Sequence, residues 1–351
     1  MNKPLSTHTI KLPVEVVVGD DVAVSAGKIL SEHLEGRNAL VLTGKNTLSL
    51  YAKKILVGLH EHGYRYRVAV VASASINEVE RISNGKGRYD VVVGLGGGKV
   101  LDVGKVVAHR LTTPFVSIPT SASHDGIASP QASLSGLNGA HSIRVQMPYI
   151  IIADSKLISN SPTELTMSGV GDVLAKFSSV LDSRLAQSKG EYVGEYAMSL
   201  AEMSAKLVLA NLEDIVALRR DGVRTLLEAL ISNGIAMAIA GSSRPCSGSE
   251  HMFGHALNML MGNKLLHGYG VLLGTKISLA LHKQDWRSVF DKVEAVNIPH
   301  HSKDLGIPNA FVLRALLFAQ KIRPERLTIL SEGMTLPRAK AVLSEVGEAS
   351  T

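Results

Sequence analysis

The sequence predicts an α/β protein, with a parallel sheet in its N-terminal half and an all-helical C-terminal half. Three observations carry this. Short β-branched runs alternate with helical stretches up to about residue 160, the runs are apolar throughout, and strand signals stop beyond about Pro162. Strands apolar on both sides belong to a parallel sheet covered on both faces, because the crossover helices lie there.

The strands are expected at Val14–Val18, Ala39–Leu42, Tyr66–Val71, Val91–Leu95, Phe115–Ile118 and Tyr149–Ala153. Helical patterns between them cover Ala23–Leu34, Leu48–His60, a stretch around Ile76–Ile82, and about Lys99 to Arg110. Gln131–Arg144 reads as a hairpin turning at Asn138-Gly139, a pair that tolerates the positive φ of a two-residue turn. In the second half, amphipathic windows cover Asp172–Ala186, Glu191–Leu212, Gly222–Ala240, Glu250–Met261, Tyr269–His282 and Ala310–Ile322.

Composition narrows the function classes. At 351 residues, 45% apolar and 19% charged, the chain buries enough surface to exclude disorder. Its 37 basic residues against 31 acidic ones leave a net charge of +6, but they are scattered, with no run of five and no aromatic interleaving. No nucleic-acid partner is therefore expected. One cysteine, Cys246, excludes an internal disulfide and a Cys-based zinc finger, so any zinc must be held by Asp and His. The polar start MNKPLSTHTI contains no apolar signal region. The apolar stretch Ala229–Ser243 is broken by Ser232, Asn233 and Gly234, and is shorter than the about 20 residues a span needs. It reads as a buried helix of a cytoplasmic protein without membrane insertion.

Two loops carry ligand chemistry. Gly94, Gly96, Gly97 and Gly98 leave the most apolar strand and enter a helix, where bare backbone and free N–H groups suit a phosphate or dinucleotide. The spacing is not G-x-G-x-x-G. Pro119–Ser129 (PTSASHDGIAS) leaves the next strand with small hydroxyl residues, at the edge where a doubly wound sheet takes its ligand. After Ala39–Leu42, no Asp or Glu stands where a strict NAD enzyme would hold the ribose, and Lys45 suits a 2′-phosphate. Use of both NAD and NADP is expected. The organisation is then a Rossmann-like dinucleotide-binding domain, residues 1–160, and a helical metal- and substrate-binding domain, residues 161–351.

In the helical half, Gly169-Val-Gly-Asp172 is expected to open a helix, His251 and His255 lie one turn apart on one helical face, and His267 opens the next helix. Asp172 with two histidines, and one position left open, makes a suitable set for a catalytic zinc ion. The residues alone leave open whether His251 or His255 is the ligand. Each of these features also has an ordinary structural reading, such as a helix cap at Asp172.

Together, the segments Gly96–Lys105, Pro119–Ser129, Ser168–Lys176, Ser242–His255 and Leu265–Gly274 resemble the iron-containing alcohol dehydrogenase and dehydroquinate synthase superfamily. Within it, they are most similar to the archaeal sn-glycerol-1-phosphate dehydrogenase branch. The resemblance implies that the dinucleotide contacts Gly96, Gly97, Gly98, Lys99, Val100, Leu101, Asp102, Thr120, Ser121, Ala122, Ser123 and Ser129. It implies one zinc ion per subunit on Asp172, His251 and His267. Asp125, Asp172 and His255 would be the catalytic residues that meet the substrate. Lys176 stands where the iron-dependent relatives carry a further histidine, and dehydroquinate synthases use Glu in place of Asp172.

The activity implied is NAD(P)H-dependent reduction of dihydroxyacetone phosphate to sn-glycerol 1-phosphate, for archaeal phospholipid biosynthesis. Arg244, followed by Ser247-Gly248-Ser249 at a helix start, is the candidate for the substrate phosphate, with Lys264 second. A homo-oligomer, dimer or larger, is expected. The competing readings are a zinc-dependent glycerol or other polyol dehydrogenase, and a non-catalytic nucleotide- or metal-binding protein.

Overall fold

A computed structural model describes residues 9–136 and 142–348. Six strands form one parallel sheet: β1 (Glu15–Gly19), β2 (Asn38–Thr43), β3 (Arg65–Val70), β4 (Val91–Gly96), β5 (Phe115–Pro119) and β6 (Ile150–Asp154). Their order is β1-β6-β5-β4-β2-β3. Each strand expected from the sequence is present, shifted at its ends by no more than a residue or so.

Alternate side chains go to opposite faces, and both faces are buried in the central strands β2, β4, β5 and β6, whereas the edge strands β1 and β3 leave Val16, Tyr66 and Val70 exposed, short of the full cover expected from the sequence. Val91, Val93 and Leu95 pack with Ile29, Leu30 and Ile55 on one side. Val92 joins Leu101, Val107 and Val170 on the other, where the sheet core runs on into the helical part. The crossovers are α1 (Ala26–His33), α2 (Lys53–Glu61), α3 (Ile76–Ser83) and α4 (Gly98–Leu111).

β2 pairs with β3 on one side and with β4 on the other, so the chain changes its direction of travel across the sheet there. Thr43 at the end of β2 is level with Leu95 of β4. Gly44 and Lys45 therefore leave the sheet beside Gly96–Gly98, at the crevice where open α/β sheets take their ligands. Gln131–Ala132 pairs antiparallel with Ile143–Arg144, as a hairpin requires. The expected turn at Asn138-Gly139 lies outside the described residues.

The rest is helical: α5 (Thr163–Leu174), α6 (Lys176–Ser188), α7 (Glu195–Ala210), α8 (Arg220–Ala240), α9 (Ser249–Leu260), α10 (His267–Leu281), α11 (Arg287–Ala295), α12 (Asn309–Phe318) and α13 (Leu336–Glu345). α8 is long and apolar enough to cross a membrane by length and composition, yet Leu226, Leu227 and Leu230 are fully buried in the core. One expectation needs correction. The helix foreseen over Asp172–Ala186 is two helices, and Asp172 lies in the last turn of α5 rather than opening a helix.

The reason lies in two glycines that look like helix breakers in the sequence. A Cβ on Gly169 would lie 1.9 Å from the carbonyl oxygen of Ala122, and one on Gly171 would lie 2.4 Å from that of Gly268. They are inside the helix because only bare backbone fits there.

Candidate active site

Close backbone packing brings the site together. Gly268, second residue of α10, sits where a Cβ would fall 1.7 Å from the carbonyl oxygen of Ser168 in α5. Its N–H donates to Ser168 Oγ at 3.0 Å, and that hydroxyl donates to Ser123 O at 3.1 Å. α5, α10 and the loop after β5 are thereby joined at one point.

The consequence is a cluster of donor atoms. His251 Nε2 lies 3.4 Å and His267 Nε2 4.0 Å from Asp172 Oδ1, and the three ligand atoms lie within 4.8 Å of one another. Donors about 2.0–2.1 Å from a tetrahedral ion stand about 3.3 Å apart, so these three fit a common divalent cation with small adjustment. His255 stands one turn beyond His251 on α9, its ring 6.3 Å from that of His251 and 5.6 Å from that of His267.

The surrounding charges hold this cluster in place. Lys176 Nζ is fully buried, 2.9 Å from Asp172 Oδ1 and 3.0 Å from Asp125 Oδ2. The backbone N–H of Asp125 donates to Asp172 Oδ2 at 2.7 Å. Burial alone would raise the Asp172 carboxyl, but Lys176 and the two histidines outweigh it and hold the group well below 3.8. Asp125 goes the other way, raised by burial and by the charge of Asp172 against the pull of Lys176.

His251 has a carboxylate on each side. Its Nδ1 is 2.7 Å from Glu250 Oε1, and Glu250 also accepts from Gly248 N and Ser178 Oγ. Burial pulls the imidazole pKa down, while Asp172 and Glu250 raise it further than burial lowers it. An environment that favours a proton on His251 also favours a metal cation there. His267 is lowered to about 3, by burial first and then by His251, so it is a neutral donor across ordinary pH. Glu250 was not singled out in the sequence. The signal was a lone acid one residue before His251 in a largely apolar helix.

A cavity of about 890 Å³ connects this cluster to the sheet, its lining including Asp102, Asp125, Ser129, His251, His267 and Arg323. At the sheet end, α4 begins at Gly98 without a side-chain cap. Val100, Leu101 and Ala122 are core side chains, so only their backbone faces a ligand. Thr120 N donates to Gly96 O, and Ser121 Oγ lies 3.3 Å from where a Gly97 Cβ would be, which knits the two predicted loops together. Asp102 accepts from Ser133 N and pairs with the buried Lys105, whose ammonium donates to the carbonyls of Gly126 and Ser129. Lys99 reaches back to Ala72 O at 3.0 Å, and Lys45 is exposed.

The sequence missed His124. Its Nδ1 accepts from Gly126 N at 2.8 Å, and its Nε2 lies 1.9 Å from where a Gly98 Cβ would be. Its ring also stands edge-on to His267 at 6.2 Å, so it bridges the glycine loop and the histidine cluster. Arg244 differs from expectation. It is ion-paired with Glu191 and donates to Leu327 O, and it is absent from the cavity lining, where Arg323 stands. Lys264 is exposed in the turn between α9 and α10.

Comparison with known proteins gives the chain's family. Residues 17–162 match the family described as iron-containing alcohol dehydrogenase. A protein of Hyperthermus butylicus named glycerol-1-phosphate dehydrogenase (NAD(P)+) is 42% identical over 346 residues, 97% of this chain and 99% of its own. The chain belongs to the glycerol-1-phosphate dehydrogenase family. A second such dehydrogenase, from Aeropyrum pernix, is also 42% identical, over 97% of this chain and 99% of its own. Among solved structures, the glycerol dehydrogenase of Schizosaccharomyces pombe superposes with a TM-score of 0.81 at 20% identity, covering 97% of this chain and 90% of that one. That likeness concerns the fold alone.

Proposed function

We propose that this member of the glycerol-1-phosphate dehydrogenase family reduces dihydroxyacetone phosphate to sn-glycerol 1-phosphate with NADH or NADPH. The observation that carries the reading is a single cavity lined both by His251 and His267, with Asp172 buried behind them, and by Asp102, His124 and Asp125 beside an uncapped, glycine-led helix. The names of the full-length relatives support the substrate.

In this reading, Asp172, His251 and His267 hold one zinc ion, a choice supported by two imidazoles and one carboxylate with a further position open. Zinc would draw charge from the ketone oxygen, and the nicotinamide would supply the hydride that reaches the carbonyl carbon. Gly96–Gly98 let the dinucleotide phosphates approach α4, and Lys99, Asp102, Thr120–Ser123 and Ser129 border them. Asp125 orients the substrate hydroxyl, held by Lys176. His255 delivers the proton that the alkoxide oxygen takes up. Residues 1–160 act as the cofactor part and 161–351 as the metal and substrate part.

A cytoplasmic setting is supported by the single, buried, unpaired Cys246. A homo-oligomer is supported by the exposed apolar row Tyr196, Met203 and Leu207 on α7. The product would supply the glycerophosphate backbone of archaeal phospholipids. The test is a substrate panel on zinc-loaded protein, following NADH and NADPH oxidation, with chiral analysis of the product. Turnover of dihydroxyacetone phosphate to sn-glycerol 1-phosphate is expected. Turnover of unphosphorylated polyols alone would make this a polyol dehydrogenase, and no turnover of either would make it a binding protein.

A further inference from the structure

Arg323 lines the cavity, and Arg326 and Arg244 stand close enough behind it for their charges to be felt at one another. Arg244 takes Glu191 as its partner. Arg326 donates to Ser247 O at 2.6 Å and to Ser243 Oγ at 2.9 Å. Arg323 donates to Ser142 Oγ at 2.7 Å and to Ser243 Oγ at 3.4 Å. Among the described residues, every hydrogen-bond partner of Arg323 and Arg326 is thus a neutral oxygen, although both side chains are half-buried.

A partly buried charge without a counter-ion in contact is unfavourable, and guanidinium has more donors than these hydroxyls use. Burial first, then Arg323 and Arg244, push Arg326 down to about 9, and burial also lowers Arg323. Both still carry a positive charge at neutral pH. Glu325 contributes a field at both arginines and Glu250 one at Arg326, with neither carboxylate in ion-pair contact. Arg323 lines the same cavity as Asp125 and the histidine cluster, together with Ser142, Ser243 and Ser247. Such a cation with hydroxyls around it matches a phosphate monoester, which guanidinium binds with two parallel N–H bonds.

We infer that Arg323, with the hydroxyls of Ser142, Ser243 and Ser247, receives the phosphate of the substrate, and that Arg326 positions Arg323's partners. This rests on the triose phosphate reading above. The same chemistry would also suit the 2′-phosphate of NADPH, and the test separates the two.

The test compares wild-type protein with Arg323→Gln and Arg323→Lys. For each, kcat/KM is measured for dihydroxyacetone phosphate and for dihydroxyacetone, and for NADPH and NADH. In Arg323→Gln, the preference for the phosphorylated substrate should fall about 100-fold, the loss of a charge-assisted bidentate contact, mostly through KM. Arg323→Lys should recover part of it, and inorganic phosphate should inhibit wild-type protein competitively but Arg323→Gln about 100-fold less. Ser142→Ala, at a loop hydroxyl, should lose about tenfold and keeps the inference testable if Arg323→Gln does not fold.

A wild-type preference that survives in Arg323→Gln overturns this assignment alone. A change in the NADPH-to-NADH ratio in place of the substrate ratio also overturns it. A wild-type protein with no preference for the phosphorylated substrate overturns the substrate reading and this assignment with it.

Discussion

Replacing Glu250 by Gln tests how far the Asp-His-His cluster depends on what stands behind it. Glu250 is fully buried, with Oε1 2.7 Å from His251 Nδ1 and 2.6 Å from Gly248 N, and Oε2 2.8 Å from Ser178 Oγ. Glutamine has the same shape, so the packing survives and the negative charge is what goes. That charge keeps the Nδ1 proton facing Glu250, leaves Nε2 free toward Asp172, and increases the basicity of the donor. Removing an outer carboxylate of this kind costs about 10- to 100-fold in metal affinity. At 1.36 kcal/mol per tenfold, that is about 1.4–2.7 kcal/mol. The assay is the zinc dissociation constant by competition with a chromophoric chelator, on protein whose metal-free Tm confirms the fold. An unchanged dissociation constant in a fully folded Glu250→Gln protein would refute the argument.

Asp172→Asn should lose zinc and turnover together, read by metal analysis and NADH oxidation. His255→Ala should retain zinc but drop kcat by about 100-fold or more, as expected when a proton-transfer group is removed; near-normal turnover would exclude it from that role. Far from the site, Lys276 and Glu348 form a buried pair at 2.9 Å, and Glu348→Gln should cost about 3–5 kcal/mol in urea unfolding by leaving Lys276 unpaired. Burial raises the Glu348 carboxyl, but Lys276 and Ser302 outweigh it and the net shift is below 4.5. Its stabilising contribution is therefore present above 4.5 and drains away as pH falls through the folded value, so Glu348→Gln should flatten the acid limb of stability. Gly268→Ala should destabilise by about 1–3 kcal/mol or more, since Ser168 O occupies the new methyl position.

The sheet was legible because its strands are local and its central ones are apolar on both faces, a pattern that few other structures produce. Val91–Leu95 could be read from five residues, and the strand runs only one residue further, to Gly96. The candidate donors were legible as residue types, with His251 and His255 at helical spacing, but the spacing left open which of the two faces Asp172. Their partners were not. Arg244 looked free beside Ser247 and Ser249, but Glu191, more than fifty residues earlier, takes its charge. Arg323 joins the cavity from a region that reads only as the end of a helix, and nothing local marks it. Gly169 and Gly171 misled for the same reason: their use is set by Ala122 and Gly268, which lie far away in the sequence. Pairings over such separations depend on the tertiary fold, and periodicity carries no trace of them.

Lys176 bears on how the proposed metal site would exchange its ion. Two carboxylates buried side by side would otherwise repel, and one would take up a proton or the helices would part. The ammonium at 2.9 Å and 3.0 Å neutralises one of the two charges permanently, leaving a single negative charge for an arriving cation. On the proposed metal reading, the donors would therefore remain arranged between one ion and the next. Zinc removed by a chelator should return on simple addition, as fast as it diffuses in, with no refolding step.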